Sequence, residues 1–158
     1  MRGPLVVFGF ALVIAVACSN PVDNDPLASL GGDVRSIDID HVIATDWEAE
    51  SIESDGEVLF TFEDFEEDRP YTLIFSEDGR FGGRTFFNKY WGSFSFSDQA
   101  LSFSGADQTF VGGPEEMIER EQIYLGTFPK VDASGMEGER LILHSSEKDR
   151  TISFLPSE

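Results

Sequence analysis

The sequence predicts an α+β domain, mostly antiparallel β with one helix packed on the sheet. Three observations predict it. Apolar and polar residues alternate with a period of two over several short segments, the mark of half-buried antiparallel strands. Turn residues separate those segments at short intervals. One segment near the middle of the chain changes to helical spacing.

Taken in order, Trp47, Ala49 and Ser51 alternate with Glu48 and Glu50. Val58, Phe60 and Phe62 alternate with Leu59, Thr61 and Glu63, and Tyr71, Leu73 and Phe75 with Thr72, Ile74 and Ser76. The strand-like pattern begins near Ser36. "SEDGR" (Ser76–Arg80) is read as a hairpin turn, with Gly79 free to take positive φ. Strands follow over Arg80–Phe86, Tyr90–Phe96 and Leu101–Phe103, with turns expected at Ser97–Gln99 and Gly105–Asp107. Three short strands close the chain, Val131–Met136, Arg140–His144 and Thr151–Leu155. No repeat or low-complexity tract interrupts the pattern.

The helical segment is "GGPEEMIEREQIYLGTF" (Gly112–Phe128), with the helix placed at about 114–126. Pro114 suits the first helical position, and Glu115 and Glu116 suit the positive end of the dipole. Met117, Ile118, Tyr124, Leu125 and Phe128 fall on one face. Glu121 lies on that same apolar stripe. A buried carboxyl is costly unless hydrogen-bonded or paired. Glu121 therefore either reaches water at the rim of the stripe or bonds to sheet backbone or an arginine; a catalytic role ranks last, because one carboxylate without a partner is a poor acid–base group.

The stretch "RFGGRTFFNKYWGSFSFSD" holds seven aromatics in nineteen residues. Tyr90, Phe94 and Phe96 share a face with Gly92, and Trp91, Ser93 and Ser95 share the other. That division fits a sheet with one buried side. Phe86 and Phe87 are adjacent and cannot both point inward on a regular strand. One of them, together with Trp91, is therefore a candidate for an exposed ligand or partner surface beside the helix.

The first residues read as an export signal. "LVVFGFALVIAVA" (Leu5–Ala17) runs thirteen residues without charge after Arg2. About twenty are needed to cross a bilayer as a helix, so residues 1–17 are read as a signal peptide. Cys18, the only cysteine of the chain, follows at once. "IAVACSN" resembles a bacterial lipobox, which implies lipid attachment at Cys18 and a membrane held through that lipid. "AVA" also suits ordinary signal cleavage, which would leave a free thiol. Ser19 rather than Asp after the cysteine points to the outer membrane, by resemblance to enterobacterial sorting. Residues 18–35 read as the lipidated terminus and a flexible tether of roughly 20–25 Å, and residues 36–158 as the folded domain.

Formal charge is −19, from 30 acidic against 11 basic residues. Such a surface repels phosphate backbones, so nucleic acid is not an expected partner. Two histidines, His41 and His144, and one cysteine leave no zinc constellation. No nucleophile elbow, P-loop or dinucleotide fingerprint occurs. The acids of "SEDGR" lack calcium-loop spacing. The expectation is a non-catalytic protein with no cofactor and no metal.

Tyr71 to Phe128 as a whole resembles the META domain, the family of HslJ-type bacterial envelope proteins. "YTLIFSEDGRFGG" resembles the family's opening hairpin, and "FFNKYWGSFSF" its Asn-containing segment. "TFVGGPEEMIEREQIYLGTF" resembles the segment leading into a Met/Glu-rich helix, and "ERLILHSSEKDRTISF" the closing hairpin. Trp47, Asn88, Gly92, Met117, Glu121, Tyr124 and Leu125 occupy motif positions. The family's two frequent cysteines are replaced by Phe87 and roughly Gly113, and residues 53–70 are unusually acidic. The resemblance implies a partly open β-barrel or curved sheet with the helix against it. It also implies an envelope binding or accessory protein in maintenance, stress tolerance or secretion. The alternatives are a lipocalin-like carrier of a small hydrophobic ligand and an inhibitor of a secreted hydrolase.

Overall fold

A computed structural model describes Leu30, residues 33–62 and residues 70–157. Cys18 and residues 1–17, read above as an export signal, lie outside the described residues. Ten strands and two α-helices follow in the order β1 (Val34–Arg35), α1 (Ile39–Ala44), β2 (Trp47–Ser54), β3 (Glu57–Thr61), β4 (Thr72–Ser76), β5 (Arg80–Arg84), β6 (Lys89–Ser97), β7 (Ala100–Gln108), α2 (Glu115–Thr127), β8 (Ala133–Glu137), β9 (Arg140–Ser145) and β10 (Arg150–Pro156). The period-two segments become strands because one face of each can be buried while the other meets water.

All pairings are antiparallel. The path is β1-β8-β9-β10-β2-β4-β5-β6-β7, with β3 also on β2. Strand β2 is the seam. Its far end pairs β3 and its near end, Trp47 and Glu48, pairs β4. The end strand β7 approaches β8, which β1 covers only at Met136 and Glu137, without laddering to it, and Leu101 N donates to Ser134 Oγ at 2.8 Å. The result is the expected α+β architecture, a curved antiparallel sheet that stops short of a closed barrel.

Inside the curve, helix α2 runs directly into a 3₁₀ turn, Phe128–Lys130, that carries Phe128 to the centre of the core. Phe81, Tyr90, Phe103, Tyr124 and Phe128 form a ring cluster with centroids 4.9–6.2 Å apart. Edge-to-face and tilted contacts of this kind add to the burial of each ring. Phe94 and Phe96 are half-buried against this core, on the face the alternation assigns them.

The structure departs from the sequence reading in four places. Val34–Arg35 already pair with β8, so the ordered domain begins before Ser36. Residues 39–44 are helical instead of strand-like; Asp38 caps the turn by accepting from Asp40 N at 3.2 Å. Gly105–Asp107 is no turn. Two residues, Gly105 and Ala106, oppose Gly92 alone, a bulge within β7 with Gly105 at φ +76°. Pro114 is the N-cap of α2, and the first helical residue is Glu115.

Candidate functional site

The chain between β5 and β6, residues 85–88, is a tight connection closed by Thr85 N donating to Asn88 O at 2.7 Å. This explains the adjacent phenylalanines. They lie on the connection, where strand alternation does not apply, and both are half-buried, ring on ring at 4.6 Å. Phe87 also lies on Gly113. A Cβ at position 113 would stand 2.1 Å from its ring, so only glycine admits the contact. The two positions that replace the family's frequent cysteines are thus neighbours in space.

Asn88 is the hub of the region. Its Nδ2 donates to both carboxyl oxygens of Glu121, at 3.1 and 2.9 Å. The Thr85 hydroxyl donates to Glu121 Oε1 and accepts from Asn88 N at 3.1 Å. Thr85, Asn88 and Glu121 are all buried, Glu121 at 4 % exposure. Glu121 therefore does not reach water at a rim. It bonds inside the protein, and its partners are two side chains rather than sheet backbone or an arginine. Burial, and secondarily the negative charge of Glu121, push the Tyr71 phenol up to about 12.

The other end of Asn88 holds the segment that leads into α2. Asn88 Oδ1 accepts from Val111 N at 2.7 Å and from the Thr109 hydroxyl at 2.9 Å, and Nδ2 reaches Val111 O at 3.3 Å. Thr109 N donates to Lys89 O at 2.9 Å, and Lys89 N donates to Thr109 Oγ1 at 3.1 Å. Between these two pinned residues stands Phe110, 92 % exposed, followed by Val111 at 53 %. The backbone over 109–114 has neither turn nor bend. A single side chain thus ties the core carboxyl to a surface loop that displays an aromatic ring.

The remaining motif residues serve packing. Trp47 is fully buried, and its Nε1 donates to Val42 O at 3.0 Å, tying α1 to β2. Gly92 lies under Phe81, whose ring a Cβ would meet at 2.4 Å. The Tyr90 hydroxyl donates to Thr72 O at 2.6 Å and accepts from Tyr124 at 2.8 Å. Burial pushes both phenols up. Leu125 is buried in the core and Met117 half-buried.

Trp91 stands on the outer face, 49 % exposed, opposite Gly82 of β5, whereas Phe86 and Phe87 are half-buried on the connection between β5 and β6. Sequence reasoning missed Thr85, Thr109, Phe110 and Val111. The available signal was "FVGGP": two large apolar residues with no periodic partner, immediately before two glycines and a proline.

Among the described residues no group of histidine, cysteine, aspartate and glutamate could hold a metal ion, and no helix is long and apolar enough to cross a membrane. The chain resembles several solved structures. A protein from Burkholderia xenovorans, solved by NMR, is 20 % identical with a TM-score of 0.63, covering 98 % of each chain. A second NMR structure is 13 % identical with a TM-score of 0.58, covering 75 % of this chain and 94 % of the other. A DUF4847 family protein from Bacteroides vulgatus is 12 % identical with a TM-score of 0.54, covering 73 % and 94 %. These likenesses show the fold. Among curated proteins nothing matches. The META domain family matches residues 40–158, and with its helix, closing hairpin and Asn88–Glu121 centre inside that span, the chain belongs to the META domain family.

Proposed function

We propose that the protein is a non-catalytic lipoprotein of the bacterial envelope, anchored through lipid on Cys18, that acts by docking an envelope protein. Outer-membrane placement and a part in envelope maintenance, stress tolerance or secretion belong to the same reading. The observation that carries it is the loop 109–111, where Asn88 and Lys89 hold the backbone on both sides of a ring left almost wholly in water. A ring so placed contributes nothing to its own core, whereas a preorganised apolar anchor lowers the entropic cost of binding. Trp91 is a second exposed ring, on the outer face of β6.

The carrier reading needs an interior cavity. The rings around Phe128 fill that space, so the docking reading is preferred.

A photo-crosslinking residue at position 110 of the full lipidated protein, in its own membrane, tests the proposal. A discrete protein adduct is expected from position 110 and none from exposed Glu139. No adduct, or adducts to lipid alone, overturns docking. Intact mass of the membrane-extracted protein tests the anchor, and an unmodified Cys18 terminus overturns it.

A further inference from the structure

We propose that Thr109–Phe110–Val111 is a substrate-like loop that enters the active site of a chymotrypsin-type serine protease and inhibits it, with Phe110 filling the primary apolar pocket. The inference rests on the docking reading above and names the partner's class.

Three features carry it. The segment belongs to no helix or strand and has no turn or bend, so its backbone is not committed to a ladder that would keep it from a protease cleft. Phe110 is 92 % exposed, well above the other exposed large apolar side chains among the described residues, the next being Val58 at 57 %. A single large ring offered this way matches a deep hydrophobic slot of the kind that sets chymotrypsin's specificity. Third, the residues on both sides of Phe110 are tied to one scaffold side chain. Asn88 Oδ1 accepts from the Thr109 hydroxyl and from Val111 N, and Lys89 adds two bonds to Thr109.

The third feature separates an inhibitor from a substrate. The protease's serine oxygen attacks the Phe110 carbonyl carbon and passes its proton to the catalytic histidine. The bond from that carbon to Val111 N then breaks, and the histidine delivers the proton to the departing nitrogen. In a loose peptide the new amine diffuses away and water hydrolyses the acyl-enzyme. Here Asn88 grips Val111 N and Val111 O on one side and Thr109 on the other. The amine stays against the ester, where a held nucleophile acts at effective concentrations of roughly 10⁵ M or more. It attacks back, the peptide bond reforms and the serine regains its proton. The complex therefore persists uncut. Rigid, preorganised surfaces of this sort bind proteases with little change of shape.

Other occupants fit less well. Asp107, Glu115 and Glu116 stand close in sequence to the loop and oppose an anionic bilayer. A second copy brings another chain of charge −19.

The test titrates the full protein in detergent against chymotrypsin and trypsin, each hydrolysing its own chromogenic peptide. Competitive inhibition of chymotrypsin is expected, at least about 100-fold tighter than of trypsin. Phe110→Gly loses about 100-fold, and Phe110→Lys moves the preference to trypsin. The side chain is in water, so both variants keep the fold. Thr109→Val, which removes the hydroxyl bonds, accelerates cleavage between Phe110 and Val111. The proposal is overturned by absence of inhibition at about 100 µM, by inhibition that survives Phe110→Gly, or by turnover of that bond at ordinary substrate rates. Failure here with a protein adduct still formed from position 110 removes the protease and leaves docking standing. Loss of both removes the docking reading too.

Discussion

Glu121 and Tyr124 leave helix α2 one turn apart and enter two different surroundings. Tyr124 joins a cluster of rings around Phe128, where contacts are numerous and direction matters little. Glu121 meets Thr85 and Asn88 and little else that is polar. Apolar burial contributes in proportion to area and tolerates small shifts. Hydrogen bonds in a dry interior stabilise only in one geometry, and a partner removed leaves the other unsatisfied. The aromatic region thus holds α2 against the sheet. The polar region decides where the helix sits along it, and through Asn88 it shapes the loop that bears Phe110.

The contrast breaks most visibly at Phe128. Phe128→Ala opens a cavity among four rings and costs about 3–5 kcal/mol by denaturant unfolding; a loss under about 1 kcal/mol would mean the 3₁₀ turn is not the centre of the core. Glu121→Leu comes next. It removes the acceptor that the Thr85 hydroxyl and the Asn88 amide share, leaving them only the longer bonds to Asn88 O at 3.2 Å and Val111 O at 3.3 Å, and costs about 2–3 kcal/mol, whereas Glu121→Gln keeps an acceptor oxygen and costs about 1 kcal/mol. Equal costs for the two would reduce Glu121 to a packing residue.

A third experiment sharpens the comparison from the side of the loop. With cysteines at positions 87 and 113, a disulfide forms on oxidation, because Phe87 already touches Gly113. Closing a loop of about 25 residues stabilises by about 3 kcal/mol before the lost ring packing is subtracted. Failure to oxidise would show that the two positions are not neighbours.

The tyrosines give a pH test. All three of the chain, Tyr71, Tyr90 and Tyr124, are buried with phenols raised above 10, Tyr71 to about 12. Their contribution is complete below pH 10, where folded and unfolded phenols are both neutral. It is lost as pH rises toward 12 and beyond, since the unfolded chain ionises first. Phenolate absorbance should therefore appear together with unfolding, in one transition above pH 10. Ionisation of one phenol with the fold intact would break the sealed-core account.

The smallest effect belongs to the outer face. Arg140 donates to both oxygens of Glu50, at 2.6 and 2.8 Å, and holds that carboxyl below its usual 4.5 against the opposing effect of burial. The contribution is present above pH 4.5 and lost as pH falls through the lowered value. With Arg140 partly in water the pair stabilises by under about 1 kcal/mol, measured as the acid-limb difference between the protein and Glu50→Gln.

Strand positions were legible because alternation is local: Leu73 and Phe75 announce a buried face within five residues. The short helix Ile39–Ala44 was not, since "IDIDHVI" alternates as a strand would. What tips it is Asp38 as cap and the Trp47 ring bonding to Val42 O, a contact from a later element. The bulge at Gly105 was misread for a similar reason. Glycine beside aspartate reads as a turn until Gly92 is seen to lie opposite.

By itself the sequence determined the class of the domain, the run of its strands, the site of the main helix and the family to which these belong. Each depends on neighbours within a few residues, where side-chain direction follows the backbone period. Only the tertiary structure decided that Glu121 is bonded, that Phe87 rests on Gly113 and that Phe110 stands in water. Those facts require residues 85, 88, 109, 111, 113 and 121 to converge. No local period encodes that convergence; the burial of the aromatic core brings it about.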